Sequence, residues 1–459
     1  MAGFEVTIED EANCEIALAD RPLEWVQALL TAENRKVNTY LRQSALARND
    51  ARYAGATSGY HDFLLPLTKI FRTVPEFKNV PVYIMLDDAN RLTRDQQLII
   101  NSWIANRDQD YVCLKVASEF DGYKTFRKMD ELFGSISEGD EDLYMERGGI
   151  IESPHDYSEV NVDELYTAAK ADYAEKVHLI ANRRLNLYGS EVSDIRDFLP
   201  PNRTESLLFD SIKKDVADEW VKLGKPGARD DYVYRYGAAR LFQHLKATKK
   251  RKSYAGFSNM VHLSAGIIRG FLEPCYFMFD KCLSQNLNTK TIRVIPPDIQ
   301  DEVLFQYSEE FLVMDLEKIR KDLPPEKATY LEALSTLLES LGRLFYERLH
   351  DPESREARLF SFTVRGSLSR DLEEVLRLGV RYRYFQRRTY STKEGGGREK
   401  WFILNRRLCP VFKLDPTGFE GRISLTAELL RIACENPERF VRFRLHQDGR
   451  QMDMFSLVE

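Results

Sequence analysis

The stretch that most constrains the fold is Val82-Tyr83-Ile84-Met85-Leu86, followed at once by Asp87 and Asp88. Five consecutive apolar residues, bounded by turn residues at Pro75 to Pro81, mark a strand buried on both faces of a parallel sheet. Thr93 can cap the helix that follows, with Leu98, Ile99, Trp103 and Ile104 on one side. Tyr111 to Ser118 then reads as a second buried strand. Strand, helix and strand make one α/β unit. Two carboxylates at a strand's C-terminal tip suit metal and water chemistry, and equally suit capping of the next helix.

The 459 residues suffice for two to four domains, and 43% hydrophobic with 30% charged content suits a chain that buries a core. No run is long enough for a transmembrane helix, and the acidic start MAGFEVTIED lacks a signal pattern, so the expectation is a cytoplasmic protein without a membrane role. The cysteines at 14, 113, 275, 282, 409 and 434 are scattered, with no C-x-x-C pair and no His at ligand spacing. They read as reduced thiols rather than a zinc site. Neither a catalytic triad nor a paired-carboxylate site is apparent.

Around the α/β unit, residues 119–157 read as a polar surface excursion. Residues 160–285 and 301–350 read as helical, joined by a linker at 286–300, and strands and turns follow Pro352. Residues 357–414 hold fourteen Lys and Arg against five Asp and Glu, a local charge of +9 within a chain of −6, so the remainder carries −15. Ser367 or Ser369 can cap a short helix over 371–378 that Gly379 ends, and two strands joined by STKEGGG follow. Helix then basic hairpin is the winged-helix layout. Arg387, Arg388, Lys393, Arg398 and Lys400, with Arg370 on the helix, are the DNA-binding candidates. Tyr382, Tyr384, Tyr390 and Trp401 interleave with them for stacking. The same module could bind acidic protein or the chain's own acidic body.

Several segments together resemble the origin-recognition-complex-like, initiator-type AAA+ ATPases, in particular their bacterial branch. VYIMLDDANRL resembles the Walker B strand, VCLKVAS the sensor 1 strand, and VHLSAGIIRGFLEPC the lid helix that carries the sensor 2 arginine. The resemblance implies an α/β plus α fold: a partial P-loop AAA+ core over 1–157 and a helical lid over 158–288. A helical and winged-helix DNA-binding domain over 289–430 and a C-terminal tail over 431–459 complete it. It implies ATP and Mg2+ as cofactors, with Asp87 orienting the metal and Asp88 in the catalytic position where many relatives carry Glu. Ser118 and Arg269 become the nucleotide-sensing residues; Arg269 could equally be a surface helix arginine. Arg107 and Arg127 are candidates to reach a neighbouring subunit's nucleotide.

One element of the family pattern is missing. The only Gly-Lys pair, Gly224-Lys225, precedes Pro226 and lacks the glycine five residues earlier that a Walker A loop needs. The expectation is that the first strand, phosphate loop and first helix precede this chain in a longer protein, or that a natural remnant has lost ATP binding. Either way this chain alone is not expected to hydrolyse ATP.

The end of the chain reads QMDMFSLVE, in which Gln451, Met454 and Phe455 resemble a bacterial sliding-clamp-binding peptide. An apolar tail docked on its own domain fits the same residues. Expected partners are thus duplex DNA, an AAA+ neighbour or second copy, and a sliding clamp. The alternatives are a non-catalytic DNA-binding adaptor, or a phage-defence or mobile-element component that recruits such a partner. A protein-interaction regulator with no DNA role is a further one.

Overall fold

The computed structural model describes residues 22–46, 60, 64–105, 111–119, 122–129, 149–160, 170–224, 229–285, 292–354, 357–391, 398–418 and 421–445. The chain divides into two compact units, Met1–Ser118 with Lys124–Tyr157, and Glu119–Tyr123 with Ser158–Glu459.

In the first unit, helices α1 (Pro22–Leu46) and α2 (Leu65–Phe71) precede β1 (Val82–Leu86), α3 (Arg94–Ala105) and β2 (Val112–Val116). The two strands pair in parallel, Val82 opposite Val112 through Leu86 opposite Val116. Thr93 caps α3 as expected, and reciprocally: its Oγ1 accepts from the Gln96 N–H at 3.2 Å while its own N–H donates to Gln96 Oε1 at 2.9 Å. The expectation of burial on both strand faces fails. Tyr83 is 54% exposed and Met85 76%, while Val82, Ile84 and Leu86 are half-buried. A strand is covered on both faces only where layers pack on either side, and the described part of this unit covers one.

The second unit is mainly helical. Its helices α4 (Lys170–Leu187), α5 (Arg203–Leu223), α6 (Arg229–Ala247), α7 (Phe257–Leu263), α8 (Ile268–Gln285), α9 (Pro297–Leu312), α10 (Met314–Asp322) and α11 (Ala328–His350) come first. After them come β3 (Leu359–Arg365), α12 (Arg370–Arg381), β4 (Phe385–Ser391), β5 (Arg398–Leu404), β6 (Gly421–Thr426) and α13 (Ala427–Glu435). The strands form one sheet in the order β4-β5-β3-β6; β5 is antiparallel to β4 and β3, and β6 is parallel to β3.

One continuous apolar core runs from Tyr173 and Val177 on α4 through Phe271 and Met278 on α8 to Phe362, Phe402 and Phe440. Polar ties cross it. Tyr254 is buried, and its hydroxyl reaches the Cys409 and Leu414 carbonyls at 3.0 and 2.8 Å. Gln300, fully buried, accepts from the Gly256 N–H and donates to the Pro200 and Ile295 carbonyls. Helices α4, α7 and α8 and the sheet are therefore built on the same hydrophobic interior, while Ala239 and Phe242 of α6 pack in a second cluster with Leu349 and Ala357.

Ser369 caps α12 through the Leu372 N–H. Gly379 does not end that helix as expected. It lies inside it, buried, where a Cβ would stand 2.4 Å from the Phe385 ring and 3.1 Å from Leu334. The glycine is required by close approach, and the chain turns instead at Arg383, with φ of 62°.

Candidate functional site at the strand tips and the basic hairpin

The sheet of the first unit brings Asp87, Asp88 and Ser118 to one end. Ala117 N–H donates to the Leu86 carbonyl at 2.8 Å and Ala89 N–H to the Ala117 carbonyl at 2.9 Å, so the tips of β1 and β2 are laced together. Asp88 takes a left-handed conformation, φ 53°, which Asp tolerates better than most residues. Its N–H donates to Asp87 Oδ1 at 2.9 Å, and its own carboxylate lies 3.4 Å from Arg91 Nε. All three predicted residues are exposed. Ligands bind at such C-terminal strand ends in α/β sheets.

Oxygen donors at Asp87, Asp88 and Ser118 fit a hydrated magnesium ion. They do not fit a triphosphate, which needs a glycine-rich backbone cradle and a lysine. Gly224, before the only Gly-Lys pair, ends α5 in the second unit, with φ of 58°. Among the described residues no group of three His, Cys, Asp or Glu could hold a metal ion. Arg269 is exposed in the first turn of α8, behind the left-handed turn of Ala265 and Gly266, and it belongs to the second unit.

Sequence reasoning missed a polar brace behind the strand tips. Gln97 and Asn101, one turn apart on α3, are fully buried, where an apolar stripe was expected to include Ile99, which is 37% exposed. Gln97 Oε1 accepts from the Lys124 and Thr125 N–H groups, and its Nε2 donates to the Ala89 carbonyl. Asn101 Nδ2 donates to the Thr125 and Arg127 carbonyls, and Ser102 Oγ accepts from the Met129 N–H. Residues 124–129 are thus fastened to α3, and Thr125 and Ile151 are buried. These parts of the expected surface excursion are built into the unit. The signal was present as two amides four residues apart, on the same helix as Leu98, Ile100 and Trp103. Arg127 has its backbone held by this brace; Arg107 lies outside the described residues.

In the second unit, much of the basic module is consumed internally. Arg358 pairs with Asp415 at 2.6 Å, both side chains at most 10% exposed, and donates to Thr417 Oγ1 and the Tyr234 carbonyl. Arg406 donates to the Pro416 and Gly418 carbonyls, and burial lowers its pKa. Arg407 donates to the Tyr307 carbonyl and lies over the Tyr307 ring, 3.5 Å from its centroid. Arg377 forms a two-bond pair with Glu374, both at 2.7 Å, which with Lys327 holds that carboxyl at about 2 despite some opposing desolvation.

The candidate DNA-binding residues divide by element. Arg370 is exposed at the start of α12. Arg387 and Arg388 are half-buried on β4, the latter 5.7 Å from the Trp401 ring centroid. Lys400 is exposed on β5, 3.3 Å from Glu373. Arg398 is in β5 with its side chain, like that of Tyr390, outside the described residues; Lys393 and the tail residues Gln451, Met454 and Phe455 also lie outside them. The stacking role expected of Tyr384 is overturned. It is 0% exposed, stacks on Phe311 at 4.5 Å and donates to the Phe311 carbonyl, because a residue between helix and strand here faces the core.

A family model described as ORC-CDC6-like matches residues 22–220 and 212–425. The chain belongs to this family of initiator-type AAA+ proteins, which generally use ATP and Mg2+. Neither the curated proteins nor the solved structures hold a match to it. No described helix is long and apolar enough to cross a membrane.

Proposed function

We propose that this ORC-CDC6-like chain binds duplex DNA through residues 357–414 acting as a winged helix, with ATP as a conformational switch. One observation carries the reading: an antiparallel hairpin, β4–β5, continues into β3 and carries Arg387 and Lys400 on one face of neighbouring strands and Arg388 on the other. Paired cations on a projecting hairpin neutralise phosphates and release counterions, so binding must fall with salt. Asp87 would orient the magnesium of a bound nucleotide, Asp88 would hold the water-polarising position, and Ser118 and Arg269 would sense its phosphates. The phosphate cradle would come from elements other than these residues. The test is fluorescence anisotropy with labelled duplex at several salt concentrations, comparing the chain with R387A/R388A/R398A/K400A. Salt-sensitive binding that weakens in the variant supports the reading; equal binding by both proteins refutes it.

A second reading is a DNA-binding adaptor that uses no nucleotide, the α/β unit being scaffold and Gln451, Met454 and Phe455 recruiting a sliding clamp. The Asp88–Arg91 pair favours it, since a carboxylate already facing a guanidinium is less available to polarise water. Calorimetric titration with ATP and Mg2+ separates the two: binding refutes the adaptor reading.

A further inference from the structure

A second basic segment lies outside the hairpin module. From Tyr232 to Leu272 the chain carries eight Lys and Arg and no Asp or Glu, within a protein whose net charge is −6. Five of the eight fall in the seven residues from Lys246 to Lys252, where α6 ends and the chain turns toward α7. The two ends of this run are engaged. Lys246 lies 4.0 Å from Glu347 and over the Tyr346 ring, and Lys252 pairs with Glu205. The three cations between them differ. Lys249, Lys250 and Arg251 are exposed, and their side chains make no ion pair or hydrogen bond with any described residue.

The backbone beneath them is held from both sides. The Lys249 and Lys250 N–H groups donate to the Lys246 and Leu245 carbonyls at 3.1 and 2.9 Å, closing the end of α6 with Lys249 left-handed at φ 55°. That position favours glycine, and the exposed lysine side chain makes no bond that would offset the cost. Beyond Arg251, the Ser253 N–H donates to Glu205 at 2.7 Å, the Tyr254 N–H to Asp301 at 2.6 Å and the Gly256 N–H to Gln300 at 2.8 Å. The Tyr254 hydroxyl donates to the carbonyl of Leu414, whose neighbour Lys413 is also exposed and makes no ion pair. Cations steady the carbonyl end of a helix, but only within its last turn. His244 and Lys246 already occupy that turn of α6, and Arg251 lies beyond it. Residues 246–251 include no aromatic or large aliphatic side chain, which the centre of a protein interface needs. Contact with a phosphate backbone needs only cations and polar groups on a positioned chain.

We propose that Lys249, Lys250 and Arg251, on the turn between α6 and α7, form a second phosphate contact for duplex DNA, separate from the β4–β5 hairpin. The inference rests on the duplex-binding reading above, though not on the hairpin which that reading employs. It is tested with the full chain by measuring the slope of log K against log salt for a labelled duplex of arbitrary sequence. Each lost phosphate contact lowers the slope by about 0.9. K249A/K250A/R251A is expected to lower it by about 2 to 3 and to weaken binding at least tenfold at moderate salt. K249R/K250R/R251K keeps the charge and is expected to retain most of the slope; an equal loss in this variant would make the effect one of folding, and the inference falls. K214A/K222A removes exposed cations from α5, where Asp210, Asp215, Asp218 and Glu219 lie among them, and is expected to leave affinity within twofold of wild type. If it matches the triple variant, the effect is one of net charge and the inference falls. An unchanged slope in K249A/K250A/R251A, with binding lost in R387A/R388A/R398A/K400A, overturns this inference alone and leaves the turn to an acidic protein partner. The reverse pattern overturns the hairpin reading and supports this one. If the unaltered chain binds no duplex, both fall.

Discussion

Gly379→Ala sets two known effects against each other at one buried position. In a solvent-exposed helix the change gains about 1 kcal/mol, because alanine loses less backbone entropy. At position 379 the new methyl would stand 2.4 and 2.7 Å from two ring carbons of Phe385 and 3.1 Å from Leu334 Cδ1. Carbon atoms in ordinary contact sit about 3.5–4.0 Å apart, so the ring must retreat by about 1 Å. It has little room to do so: Phe385 is 2% exposed and meets Phe362 edge-on at 5.5 Å, and Phe362 stacks on Phe402 at 5.2 Å. Overpacking of this kind costs about 1–3 kcal/mol, and a near-rigid aromatic neighbour puts the cost at or above the top of that range. The net expectation is a loss of about 2 kcal/mol. Denaturant unfolding followed by tryptophan fluorescence should show a lower midpoint at unchanged slope. In the double variant G379A/F385L, the second substitution should recover part of the loss, since the two sites share one contact. A variant as stable as the parent, or more so, would mean that helix propensity dominates and the close approach is not a constraint.

Three other perturbations test different parts of the molecule. Arg358→Ala should destabilise the second unit by about 3–5 kcal/mol, because it leaves the Asp415 carboxylate, 6% exposed, without its ion-pair partner; thermal unfolding measures this. Glu374 has a depressed folded-state pKa of about 2, caused first by the Arg377 hydrogen bonds, against 4.5 for the unreacted side chain. Its advantage over E374Q should therefore be complete above about pH 5 and disappear as pH falls toward 2, read from unfolding midpoints across that window; a difference that does not change with pH would contradict the assignment. Burial pushes the Cys275 and Cys434 thiols up to about 12 and raises that of Cys409 well above its usual value, so all three should resist thiol reagents at neutral pH until the protein unfolds; rapid labelling of any of them in the native state would contradict this.

Much of this protein is legible in local sequence because local physics determines it. The strand at 82–86, the capped helix after Thr93, the Ser369 cap and the two strands of the hairpin follow from apolar runs, capping side chains and turn residues acting over a few positions. Membership of the ORC-CDC6-like family was likewise readable, from short motifs whose order along the chain is itself sequence information. Side-chain placement was decided by tertiary structure. Gly379 looks like a helix stop until Phe385 folds back against it. Gln97 and Asn101 look like surface amides until residues 124–129 supply backbone partners from more than twenty positions away. A count of charges could not tell that Arg358 and Arg406 serve the interior while Lys400 and Arg422 face outward. Which arginine meets a carboxylate, a carbonyl or water depends on what distant segments bring beside it, and a desolvated charge persists only where such partners converge.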